Sequence, residues 1–227
     1  DRDVRREVCR IALNLDGEHR RRVVAHGLGS TDAVVRYWCA CKVRHCFPLE
    51  VIDEMIHRLQ LDRMMLVRRE GLSLEADAHP ERSQSVWQRA LLDSNTSIRE
   101  LARFHVQKTP GFKAAGFYRD WLATNGPSLA AIYGLGETGD ASDLPTLRGF
   151  LTSRLPSWRR AAVRGLAALG KEAVAPNLVG CLRDESPGVI REAGRKLVPL
   201  LNFVPGETLL KVVLEGNSEQ AKQTALR

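Results

Sequence analysis

The sequence predicts an all-α fold, a right-handed α-α superhelix of seven to eight stacked helix pairs. Three observations carry this expectation. Apolar residues recur at helical spacing, and no segment alternates with period two over a convincing length. An apolar residue followed by Arg returns at an interval of about 31 residues. An Asp or Asn stands a few residues before most of these pairs, where a turn must fall.

The pairs are Val4-Arg5, Val35-Arg36, Val67-Arg68, Ile98-Arg99, Trp158-Arg159 and Ile190-Arg191. The arginines are 31, 32, 31, 60 and 32 residues apart, and the 60 spans two repeats. The absent member falls at Pro127-Ser128, so the fifth repeat departs from the pattern. The turn residues are Asp32, Asp62, Asp93, Asn125 and Asp184. Each pair opens an amphipathic stretch, the second helix of a unit. A first helix precedes it: PLEVIDEMIHRLQ, RSQSVWQRALLD, GFKAAGFYRDWLA, DLPTLRGFLTS and AVAPNLVGCLRD in order. Apolar spacing makes each of these a helix, and Gly, Pro, Asn and Asp end it.

The stretch PSWRRAAVRGLAALGKEAVAPNLVGCLRDESPGVIREAG resembles tandem HEAT repeats. SLAAIYGLGETGDASDLPTLRGFL resembles the short HEAT-like units first described in phycobilisome lyases. The likeness is strongest from about residue 127 to 200 and extends over residues 1–227 as a single array. It implies that the turn Asp and the second-helix Arg form a ladder between neighbours. Asp32, Asp62, Asp93 and Asp184, with Arg36, Arg68, Arg99 and Arg191, are then structural residues. The ladder is expected to be interrupted at Ser128.

Composition bounds the function. The chain of 227 residues is 44% hydrophobic, 27% charged and 6% aromatic. It holds no apolar run of about 18 residues, so no membrane span is expected. It opens on a charged segment with no secretory signal and begins and ends mid-helix, which reads as a piece of a longer chain. Five cysteines form no regular framework, which points to reduced thiols and a cytoplasmic setting. The net charge of +7 points to an acidic partner if the cations gather on one surface.

Where they gather follows from helical geometry. With the ladder Arg as position zero, apolar residues fall at −1, +3, +6 and +7. Positions +1, +4, +5 and +8 lie opposite and are expected on the inner, concave wall. They hold nine basic residues (Arg6, Arg10, Arg44, Arg69, Arg103, Arg160, Arg164, Arg195, Lys196) against two acidic ones, Glu100 and Glu192. The fifth repeat adds Leu129, Ile132 and Tyr133, with Phe104 next door. Basic repeats flanking an apolar patch suit an acidic, partly hydrophobic protein segment. Duplex nucleic acid fits the same face less well, because its regular phosphates favour continuous positive charge. The predicted partner-binding residues are therefore Arg69, Arg103, Leu129, Ile132, Tyr133, Arg160, Arg164, Arg195 and Lys196.

The other motifs give no chemistry. In WCACKVRHC, residues 38–46, Cys39 and Cys46 point to the core and Cys41 to the opposite side, so the three thiols cannot converge on one metal. GLGETG, residues 134–139, ends a helix rather than following a strand and is no phosphate loop. The iron-binding His-Glu pairs of deoxyhypusine hydroxylases are absent. FYRDW, residues 117–121, offers Tyr118, Asp120 and Trp121 to a HEAT-like DNA glycosylase reading, but on a first helix. Trp87 and Trp121 read as packing between first helices. The expectation is a non-enzymatic interaction scaffold without metal or cofactor.

Overall fold

The computed structural model describes residues 1–215, and helices are its only regular structure. Two compact units divide the chain, Asp1–Thr109 and Pro110–Arg227.

The first unit runs α1 (Arg2–Ala12), α2 (Gly17–Gly27), α3 (Ala33–Ala40), α4 (Val43–Cys46), α5 (Leu49–Gln60), α6 (Met65–Ala78), α7 (Ser83–Ala90) and α8 (Thr96–Val106). The second runs α9 (Ala114–Thr124), α10 (Leu129–Thr138), α11 (Leu144–Gly149), α12 (Pro156–Leu169), α13 (Ala175–Cys181), α14 (Pro187–Leu197) and α15 (Gly206–Glu215). Consecutive helices pair as first and second members: α2 with α3, α5 with α6, α7 with α8, α9 with α10, α11 with α12, α13 with α14. Six pairs lie between α1, which has second-helix character, and α15.

Helix starts follow local chemistry. Asp32 and Asn95 accept hydrogen bonds from Val34 and Ser97 amides and cap α3 and α8. Pro156 and Pro187 sit at the first position of α12 and α14, where a missing N–H costs nothing. Ser128, at the predicted break in the ladder, caps α10 by accepting from the Ala131 amide.

The ladder is present and has a fixed construction. Arg36 donates through Nε and Nη2 to Asp62 at 2.6 and 2.9 Å. Arg68 grips Asp93 at 2.8 and 2.8 Å, and Arg159 grips Asp184 at 2.8 and 2.8 Å. Each of these arginines uses Nη1 to donate to the backbone carbonyl six residues earlier (Ser30, Asp62, Ser153). Each of these carboxylates also accepts an amide two residues later (Met64, Asn95, Ser186). One planar guanidinium thus closes its own turn and grips the next repeat's turn.

Two ladder expectations are corrected. In the first repeat Arg6, not Arg5, forks onto Asp32, at 2.8 and 3.2 Å, and Arg2 joins it. The register is one residue later, which places Cys9 and Leu13 in the core, 8% and 7% exposed. Arg191 is exposed and pairs with no carboxylate among the described residues. Where Ser128 interrupts the ladder, Arg119 of α9 reaches Asp143 at 2.6 and 2.8 Å and Asp140 at 3.0 Å, at the turn that opens α11. Those two acids also cap that turn reciprocally.

The first unit's core is built from Val24, Val35, Cys39, Val43, Ile52, Ile56, Leu59 and Val67. The second is built from fully buried side chains that include Tyr118, Ile132, Leu135, Leu147, Leu166, Leu178 and Ile190. In it α10 and α12 approach until a Cβ on Gly136 would stand 2.5 Å from Gly165 Cα. Tyr118 lies over Gly134, where any side chain would collide with its ring.

Candidate partner-binding face

Second helices place the predicted residues. In the second unit Leu129, Arg160 and Glu192 share one register position, Ile132, Val163 and Arg195 the next, and Tyr133, Arg164 and Lys196 the third. Side-chain contacts join the third position across helices. The Arg164 guanidinium lies over the Tyr133 ring, 5.6 Å from its centroid. Arg164 Nη2 donates to Glu192 Oε2 at 3.1 Å, and its Nε sits 2.9 Å from Oε1 without hydrogen-bond alignment. From the other side Arg195 Nη2 donates to both Glu192 oxygens at 2.7 Å.

Glu192 is 5% exposed, though the sequence placed it outward. Burial pushes its carboxyl up, but the hydrogen bonds and charges of Arg164 and Arg195 outweigh this and leave it below the usual range. The Arg164 guanidinium is raised by the same bond. One carboxylate thus holds two cations and fixes their direction. Around it Arg160 and Arg191 are exposed and Lys196 is half-buried. Five cations and one anion occupy this part of α12 and α14. The three-residue spacing of Glu192 from Arg195 was the available sequence signal for this pairing.

Ile132 is corrected. It is fully buried and belongs to the core, not to an outer face. The cause is general: position +4 is buried at Ala40, Leu72 and Val163 as well. A second helix is contacted by its first helix and by neighbouring second helices, so its buried arc is wider than the apolar stripe implies. Leu129 and Tyr133 are half-buried. Arg69 of α6 is half-buried, 3.5 Å from Glu70. Arg103 of α8 is half-buried beside Phe104, which is 54% exposed and carries Lys108 4.6 Å above its ring. Arg69 and Arg103 belong to the first unit and the other seven predicted residues to the second.

The remaining motifs resolve as packing. The segment WCACKVRHC is broken between α3 and α4, with Cys39 and Cys46 buried and Cys41 half-buried. All five cysteines are free thiols. Burial, with Cys9 adjacent, pushes the Cys39 thiol up to about 12. No group of three or more potential metal ligands exists among the described residues. Tyr118 is fully buried, while Asp120 is exposed. Trp87 stacks on His105 of its own pair's second helix, centroids 4.0 Å apart and 5° from parallel, rather than on another first helix. No helix among the described residues is long and apolar enough to cross a membrane.

Paired helices joined by an Arg–Asp ladder define a helical repeat protein. The family model for HEAT repeats matches residues 128–197. The chain is similar to the complex of CpcE and CpcF of phycocyanin lyase from Nostoc sp. PCC7120, at 19% identity over 90% of this chain and 91% of that one, with a TM-score of 0.34. It is also similar to an engineered protein, at 17% identity over 91% and 93%, with a TM-score of 0.30. Both scores lie below 0.5, and the repeat assignment stands on the matched residues and the ladder. No curated protein matches the sequence.

Proposed function

We propose that the chain is an interaction scaffold that binds an acidic, partly hydrophobic protein segment through second-helix residues of its basic face. The supporting observation is the Arg164–Glu192–Arg195 cluster beside Tyr133. A buried carboxylate fixes two guanidiniums in place, so a partner's carboxylates meet donors whose ordering cost is already met. Tyr133 and Leu129 supply apolar surface next to these charges. Arg160 and Lys196 extend the positive character within the second unit, and Arg69 and Arg103 are cations of the first unit.

The test is fluorescence anisotropy with a labelled amphipathic peptide carrying Glu on one side and Leu on the other. Binding is expected to weaken about tenfold or more in Arg160→Glu and in Tyr133→Ala, in line with the cost of removing an interface anchor. A peptide with Lys in place of Glu is expected not to bind. Equal affinity for both peptides would remove the reading. Tight binding of DNA or RNA, lost steeply with salt, would replace the protein segment by a nucleic acid on the same residues.

A further inference from the structure

A second surface lies on α1, in the first unit. Val4, Val8, Ile11 and Leu15 are 60%, 58%, 57% and 46% exposed. Val4, Val8 and Ile11, spaced four and three residues apart, form one stripe along the helix, and Leu15 follows its end. With Arg6 as the ladder residue, Val8 stands two places after it. The residues two places after Arg159 and Arg191 are Ala161 and Ala193, both fully buried against neighbouring helices. The same position that packs in α12 and α14 is therefore bare in α1. Beside the stripe, α1 and α2 enclose an open groove of about 970 Å³, with Val8, Ala12 and Val23 among its lining. Arg5, Arg22 and His26 also line it, and no acidic residue does so among those described. The Arg5 side chain donates to Thr31 Oγ1 at 3.2 Å, and neither Arg5 nor Arg22 has an ion pair among the described residues.

A matching surface exists on the same chain. Helix α15 buries Val212 and turns Leu210 and Leu214 outward, 55% and 72% exposed. Glu207, three residues before Leu210, shares that side and has no partner among the described residues; Lys211 lies further round. We infer that α15 of one copy seats on the α1–α2 face of a second copy. Leu210 and Leu214 lie on the Val4–Val8–Ile11 stripe, and Glu207 meets the unpaired Arg5 or Arg22. The two surfaces differ, so the contact is heterologous and each copy keeps one free surface of each kind. Association then continues beyond two chains unless it closes into a ring.

Two substitutions at exposed positions test this without disturbing the core. The wild-type mass, measured by sedimentation velocity over a concentration series, is expected to rise above that of the 25.3 kDa chain. Val8→Glu alone and Leu214→Glu alone are each expected to remain single chains at every concentration. Mixed in equal amounts they retain one intact surface of each kind, and are expected to form a species of two chains and nothing larger. Circular dichroism matching the wild type confirms that each variant is folded. A wild type that stays a single chain throughout would overturn the proposal. So would self-association of either variant alone, or a mixture that does not associate.

Discussion

Arg159 is the residue on which the fold depends most visibly. Its side chain is 6% exposed, it closes the turn at Ser153 and it forks onto Asp184, itself 11% exposed. Arg159→Ala leaves that carboxylate without its partner and is expected to cost about 3 kcal/mol in urea unfolding. Arg191→Ala, at the equivalent place but exposed, is expected to change stability by less than about 0.5 kcal/mol. Both stand in apolar-Arg pairs, and Arg191 was expected in the ladder, because such a pair looks the same whether or not a carboxylate arrives from the following repeat. Acid acts on three other carboxylates that accept from arginine. Hydrogen bonds from Arg36 and Arg119 hold Asp62 and Asp143 below the usual carboxylate range, and Arg6 does so for Asp32. A depressed folded-state pKa stabilises above the unfolded value and is lost as pH falls. Stability is therefore expected to be level above about pH 5 and to decline below about pH 4, on a thermal melt series. Cys39 is fully buried and its thiol is raised, so brief iodoacetamide treatment at pH 8 is expected to modify half-exposed Cys41 and spare Cys39 until the protein unfolds. Equal labelling of the two would contradict the burial.

Helix pairs were legible because they rest on periodicity, on turn residues and on one recurring Arg. Their outer faces were less so. Ile132 stood on the predicted wall, yet it is core, since neighbouring second helices bury a flank that a single helix wheel leaves open. Glu192 was expected in solvent, but packing brought it beneath two arginines, Arg164 of α12 and Arg195 of its own helix α14. Neither outcome is encoded in one helix; both depend on what stacks beside it. The break between α3 and α4 is also a packing outcome, for nothing in WCACKVRHC ends a helix by composition. The approach of α10 to α12 belongs to this level too. Gly136→Ala would place a methyl group against Gly165 Cα and is expected to cost about 2 kcal/mol, whereas exposed Gly180→Ala, with open space around its Cβ position, is expected to be neutral or mildly stabilising. Comparing the two melting temperatures checks this.

Across the whole chain, the net charge of +7 takes meaning from its distribution. Many arginines are consumed internally by the ladder: Arg6, Arg36, Arg68 and Arg159 each hold a carboxylate. Fewer cations remain unengaged, and in the second unit Arg160, Arg191 and Lys196 accompany Arg164 and Arg195, the pair fixed on Glu192. The proposed binding face pairs this charge with the apolar surface of Tyr133 and Leu129. It is expected to bind an acidic amphipathic segment with only modest salt dependence. The measurement that tests this most directly is the affinity of the wild-type chain for a labelled acidic amphipathic peptide and for labelled duplex DNA, each across a salt series. The account predicts peptide binding that persists as salt rises, and DNA binding that is weak and falls away steeply. Tight DNA binding together with no measurable peptide binding at low salt would contradict it.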